Sequence, residues 1–221
     1  MSGYSFDWGV IARNWDILSA SIAMTFVVSL VAEGIALFFA IVVGIARTTR
    51  SPLIVVPATA FVEFFRGVPI LVLLIWVYYV PALAWNVQIS AFIAGVFGLG
   101  LWYAGGLAET IRAGILAVPV GQREAAYTLG LSRLQVLRAI VLPQATRIVI
   151  PPLANSYIGM VKDATLLSVL GVTELMRAAQ TVVGRTYRPF EVYTFIAVVY
   201  VIITVVLGRM FSLLERRLKT A

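Results

Sequence analysis

The chain has 221 residues, of which 61% are hydrophobic and only 12% charged, and its mean hydropathy is +0.98. A soluble domain carries about twice that share of charge, and a disordered chain lacks such apolar content, so both classes are excluded. Seventeen basic against ten acidic residues leave a net charge of +7, which in so apolar a chain fits basic loops at an anionic membrane surface rather than nucleic acid.

A membrane helix takes about 20 apolar residues, so this length allows five or six spans and no sizeable soluble domain. The expectation is an all-α, polytopic membrane protein folded as one membrane domain over 1–221. Neither Cys nor His is present. Thiol chemistry, disulfides, His-ligated haem and most zinc sites are thereby excluded. No cleavable signal peptide is evident, because the first apolar run lacks a basic leader and is too long.

In chain order, residues 1–16 are mixed, with Tyr4, Phe6 and Trp8 suited to a membrane interface. The first span covers about 17–46, with Glu33 its one charge and Ala36, Ala40 and Gly44 forming a stripe of small residues for close helix approach. The second covers about 52–80. It carries Glu63 and Arg66, three apart and able to pair, and Gly67 and Pro69 predict a bent or broken helix. From Gly67 to Ala108 no residue is charged; these 42 residues exceed one span, and Pro81 to Asn86 is the expected turn. The third span covers about 87–111. Glu109 and Arg112 at its end read as an interface pair, while Trp76, Trp102 and Tyr103 read as packing or interface-belt residues.

Residues 112–147 are the most polar internal stretch and read as a cytoplasmic loop, centred on about 117–143, with short helices of its own. Gly130 stops one helix, Ser132 and Gln135 make a capping box for the next, and Pro143 ends or bends that one into span four. Span four covers about 148–172, with Lys162 and Asp163 deep inside it, and span five covers about 190–212. With the N-terminus outside, inside loops hold 11 Lys and Arg and outside segments four, so the expected topology is N-out and C-in. Three of those outside arginines, Arg177, Arg185 and Arg188, run against the rule.

Glu124-Ala125-Ala126, then Gly130, then Ile140-Val141-Leu142-Pro143 resembles the EAA loop of ABC importer permeases. Phe64-Phe65-Arg66-Gly67-Val68-Pro69, Ala108-Glu109-Thr110-Ile111-Arg112-Ala113-Gly114, Leu142-Pro143-Gln144-Ala145 and Lys162-Asp163-Ala164-Thr165-Leu166 are similar to the polar amino acid permeases of that superfamily, over about residues 14–218. Ala164-Thr165 departs from the family's usual Thr or Ser followed by Ser. The resemblance implies a type I importer fold with five spans, located in the bacterial cytoplasmic membrane. It implies a polar amino acid substrate held by the Lys162–Thr165 segment. It also implies a cytoplasmic ATPase dimer docking on the loop at Glu124, Ala125, Ala126, Gly130 and Arg133, a second permease copy or homologue, and an extracytoplasmic binding protein.

The residues themselves add chemistry. Intramembrane charges cost about 2.5–3.5 kcal/mol each on insertion scales, which makes them functional candidates. Asp163 suits the ammonium of an amino acid, Thr165 adds a hydroxyl, and Lys162, Glu63 and Arg66 are further candidates. The same charges can instead be structural partners of one another. The sequence has no phosphate-cradling G-x-x-x-x-G-K-[ST] loop. No cofactor is therefore expected in this chain, and ATP and Mg belong to a partner ATPase. The alternatives are a permease for another small polar solute such as an opine, a channel, or a membrane enzyme or scaffold. An enzyme would need a catalytic set, and neither G-x-S-x-G nor a metal cluster occurs.

Overall fold

The computed structural model describes residues 4–220, with side chains described as far as Arg216. The described residues form helices and no strand. The helices are α1 (Gly9–Arg13), α2 (Trp15–Ala46), α3 (Pro52–Gly67), α4 (Ile70–Trp85), α5 (Ala91–Leu116), α6 (Val120–Thr128), α7 (Arg133–Val136), α8 (Leu142–Asp163), α9 (Leu175–Thr186) and α10 (Pro189–Thr220). A π-helical turn, Leu137–Val141, joins α7 to α8, and a 3-10 segment, Ala164–Leu170, follows α8. Four helical stretches are long and apolar enough to cross a membrane: α2, α5, the continuous run Arg133–Leu170, and α10. The bent pair α3 and α4 counts as a fifth.

The break between α3 and α4 turns the chain by 106°. Its cause is local. Val68 precedes Pro69, and the proline ring drives it out of the helical region to φ −85° and ψ 131°. The Trp102 indole N–H of α5 donates to the freed Val68 carbonyl at 2.9 Å. A buried carbonyl without a partner would be costly in lipid, so the break sits where another helix can satisfy it. Pro81 lies inside α4 rather than in the expected turn. The helix runs one turn further and closes on Asn86, whose φ of 54° is the left-handed cap conformation. The next helix starts at Ala91, where the Ser90 hydroxyl accepts the Ile93 N–H.

Helix α5 is the central element and packs against α2, α3, α4 and α8. Glycine sets the α2–α5 distance. A Cβ on Gly100 would stand 2.8 Å from the Ala32 carbonyl oxygen, and one on Gly44 would stand 2.8 Å from that of Ala108. Ala36 and Ala40 are fully buried in the same cluster. With no water-driven force between helices in lipid, such close backbone approach is the main source of cohesion.

A second cluster joins α1, the start of α2, α9 and α10. Two acids that the sequence reading passed over are fully buried beside it. Glu191 accepts from the Tyr4 hydroxyl and the Asp7 N–H. Glu174 caps α9 by accepting the Met176 and Arg177 N–H groups, each at 2.8 Å. Burial pushes the Glu174 carboxyl up to about 7, against the opposing pull of those two N–H donors.

Candidate functional site

A cavity of about 500 Å³ opens between α3, α5 and α8. Its lining includes Arg66, Trp102, Tyr103, Thr110, Asn155 and Ser156. Arg66 reaches it because α3 ends at the break just described. Gly105 lets α3 sit close: a Cβ there would be 3.1 Å from Phe65 Cβ and 3.5 Å from the Arg66 nitrogen. Arg66, just before the break, stands on the cavity wall; at membrane depth irregular backbone is tolerated where it is buried in protein or lines a cavity.

Asp163 closes α8 and is half-buried. The Tyr103 hydroxyl donates to its Oδ2 at 2.8 Å. Gly159 makes room for that phenol, since a Cβ on it would stand 2.9 Å from the Tyr103 oxygen. Tyr103 therefore connects the cavity wall to the acid. Thr165 lies one residue into the 3-10 segment, and its hydroxyl donates to the Lys162 carbonyl at 2.7 Å, leaving its lone pairs open.

The expected pairing of Glu63 with Arg66 does not form. Both are exposed, and no ion pair among the described residues involves either of them, Lys162 or Asp163. Both residues lie within α3, so the spacing permits the pair, but Arg66 stands on the cavity wall and leaves Glu63 exposed. Asp163 is partnered by a tyrosine instead of a cation. Trp102 and Tyr103, read from sequence as packing residues, stand on the cavity wall. Asn155 and Ser156 were missed, although a polar pair inside an apolar run is a legible signal. Toward the C-terminal end of α5, Glu109 pairs with Arg112 at 3.1 Å, as expected, and also with Arg47, the residue that follows α2.

The loop between α5 and α8 is helix, glycine turn, helix. Gly130 has φ +81°, a conformation that favours glycine. Ser132 and Gln135 form the reciprocal capping box. Ala126 is buried with Val118, Val136, Val141 and Ala145, whereas Glu124, Ala125 and Arg133 face outward. No ion pair among the described residues holds Glu124. Arg123 ties the loop down instead, donating to the Ile115 and Val118 carbonyls. The tip presents Leu129, 80% exposed, beside Tyr127 and Leu134.

Pro143 does not end the helix. It has no N–H for the Ala139 carbonyl and its ring crowds that oxygen, so the backbone widens into the π turn and continues. The Gln144 amide then donates to the Ile140 carbonyl at 3.0 Å and to Gln122 Oε1 of α6 at 2.7 Å. One side chain thus links the loop helix, the π turn and the foot of α8, whose upper part carries Asn155, Ser156 and Asp163.

The chain is 35% identical to the glutamine transport system permease protein of Escherichia coli (strain K12) over 215 residues, covering 97% of this chain and 98% of that one. It is 34% identical to the L-cystine transport system permease protein of Bacillus subtilis (strain 168), covering 98% of this chain and 93% of that one. A crystal structure of an amino acid ABC transporter with histidines superposes with a TM-score of 0.90 at 32% identity, covering 97% of this chain and all of the matched one. Residues 36–220 match the family described as the binding-protein-dependent transport system inner membrane component. With broken span, cavity and loop all placed on one helical frame, the chain belongs to that family of transport permeases.

Proposed function

We propose that this chain is the permease subunit of an ATP-driven importer that moves a polar amino acid across the bacterial cytoplasmic membrane. The observation that carries the reading is the cavity between α3, α5 and α8. It presents a cation, Arg66, and reaches an acid, Asp163, through Tyr103. A zwitterion needs both signs, and Asn155, Ser156 and Thr110 offer neutral hydrogen bonds for a polar side chain. Arg66 receives the carboxylate, Asp163 the ammonium, and Thr165 and Lys162 border the same end of α8, with Glu63 exposed on α3.

In this assembly a second permease, identical or homologous, lies alongside, and an extracytoplasmic binding protein delivers substrate. ATP and Mg bind an ATPase dimer that docks on the face formed by Glu124, Ala125, Ala126, Gly130 and Arg133. The subunit itself is not an enzyme. The test is uptake into vesicles containing the permease, its ATPase and its binding protein. Amino acid accumulation that needs internal ATP supports the reading. ATP-independent flux would favour a channel, and accumulation of an opine but no amino acid would change the substrate.

The termini follow the charge distribution, with the N-terminus outside and the C-terminus cytoplasmic. Because the chain has no Cys, a single introduced one is its only thiol. Leu83→Cys, at a site 84% exposed, is expected to react with an impermeant maleimide in intact cells. Leu129→Cys, at a site 80% exposed, is expected to react only after permeabilisation. The reverse pattern would invert the topology.

Gln144→Ala removes the strut between the loop helix and α8. Expected are normal assembly, retained ATP hydrolysis and at least a tenfold fall in amino acid moved per ATP. The ratio of uptake to phosphate release, measured on the same vesicles, checks this. An unchanged ratio would show that the strut carries no movement.

A further inference from the structure

A second cavity, of about 980 Å³, lies between the α2–α3 turn and the loop that joins α5 to α8. Thr48, Thr49 and Arg50 line it from the turn, and Tyr127, Ser132 and Arg133 from the loop. No acid stands on its wall. Among the described residues neither guanidinium has an ion pair or a hydrogen bond, and the Tyr127 hydroxyl has no partner either.

The other hydroxyls already donate elsewhere. Thr48 donates to the Ile45 carbonyl at 2.7 Å, Thr49 to that of Ala46 at 2.8 Å, and Ser132 to Gln135 Oε1 at 2.9 Å. The unpartnered side-chain groups are therefore donors, and two of them carry charge. A ligand that complements them brings acceptors and negative charge, and the guanidinium fork matches phosphate oxygens in geometry as well as charge. Helix α3 adds to this, because it starts at Pro52 and Ser51 makes no side-chain cap. The positive end of its dipole is thus left open two residues from Arg50.

Depth separates a lipid from a soluble anion. Helix α2 is apolar up to Ala46, and α3, the first half of the broken span, is apolar again from Pro52. The turn between them stands where hydrocarbon gives way to headgroups. Directly after Arg50, Leu53 is 89% exposed and Val56 65% exposed. Bare aliphatic side chains beside unpartnered arginines suit a ligand with a phosphate at one end and an acyl chain at the other. We infer that Arg50 and Arg133 form a binding site for the headgroup of an anionic phospholipid. The bound lipid ties the α2–α3 turn to the loop. The inference needs only that α2 and α3 cross the membrane, and it is independent of the solute that the substrate cavity takes.

The experiment is native mass spectrometry of the assembled transporter in mild detergent, titrated with dioleoylphosphatidylglycerol or dioleoylphosphatidylcholine. An arginine near an anionic surface is worth about fivefold in affinity. Tighter retention of phosphatidylglycerol, by about 25-fold, is therefore expected. Arg50→Gln and Arg133→Gln should each lose about fivefold, and the double variant should lose the preference. Arg209→Gln, an exposed arginine of α10, is the control and should keep it. Equal retention of the two lipids, or a preference intact in the double variant, would overturn the inference. Displacement by millimolar inorganic phosphate would assign the site to a soluble anion instead. A double variant that sheds the ATPase while its lipid retention is unchanged would assign it to an acidic segment of that partner. The readout involves no transport, so a failure here leaves the transport reading standing.

Discussion

Asp163→Asn is expected to weaken substrate capture by the permease about 10- to 150-fold while the protein assembles normally. The amide keeps the size of the carboxyl and can still accept the Tyr103 hydroxyl, which lies 2.8 Å from Oδ2. What it loses is the charge that would meet an ammonium. A hydrogen bond to a charged group contributes about 1.5–3 kcal/mol, and each 1.4 kcal/mol is about tenfold. Tyr103→Phe serves as the companion. It leaves the charge and removes only its positioning hydroxyl, so a smaller loss, about fivefold, is expected from one neutral bond. The measurement is the substrate concentration for half-maximal uptake at fixed binding protein. Equal affinity in wild type and Asp163→Asn would remove the acid from the site and leave Arg66 and the neutral groups of α8 to hold the solute.

Gly100→Val should prevent stable folding, or lower the thermal midpoint by more than any substitution in the cavity. Gly100 stands where α5 crosses α2. A single Cβ there would already lie 2.8 Å from the Ala32 carbonyl oxygen and 2.8 Å from Ile35 Cγ2. The first of these neighbours is backbone and has no rotamer to adopt. The helices must therefore separate, and the contacts of Ala36, Ala40 and Leu99 in the same core cluster loosen with them. Overpacking costs about 1–3 kcal/mol where side chains can yield, and more is expected where the main chain must move. Gly106→Val, on the same helix with open space around its Cβ position, is the control and should fold. A Gly100→Val protein as stable as the Gly106→Val control would show that the α2–α5 contact is not the frame of the fold.

These two substitutions draw on different depths of information. The apolar runs predict the membrane helices, because hydrocarbon leaves a backbone almost no other way to satisfy its polar groups. Local stereochemistry goes a step further. Gly67 and Pro69 predict the broken span, and Gly130, Ser132 and Gln135 predict the turn and cap of the loop, since each depends on residues within one turn of one another. The EAA spacing belongs to the same class of short-range pattern, and the family match over residues 36–220 agrees with it.

The reading failed where a partner lies far away along the chain. The expected partner of Arg66 was its helical neighbour Glu63, yet the break puts Arg66 on a cavity with α5 and α8. Asp163 finds Tyr103, sixty positions earlier, and Gln144 finds Gln122, twenty-two earlier. A crevice at Glu33 draws on α2, α8 and α10, from Leu30 to Leu214 along the chain, and no local pattern announces it. Span and break are decided by the solvent and by adjacent peptide units, which are written residue by residue. Which side chains share a cavity is decided by how closely glycine and alanine let the helices approach, and that exists only once the helices have packed.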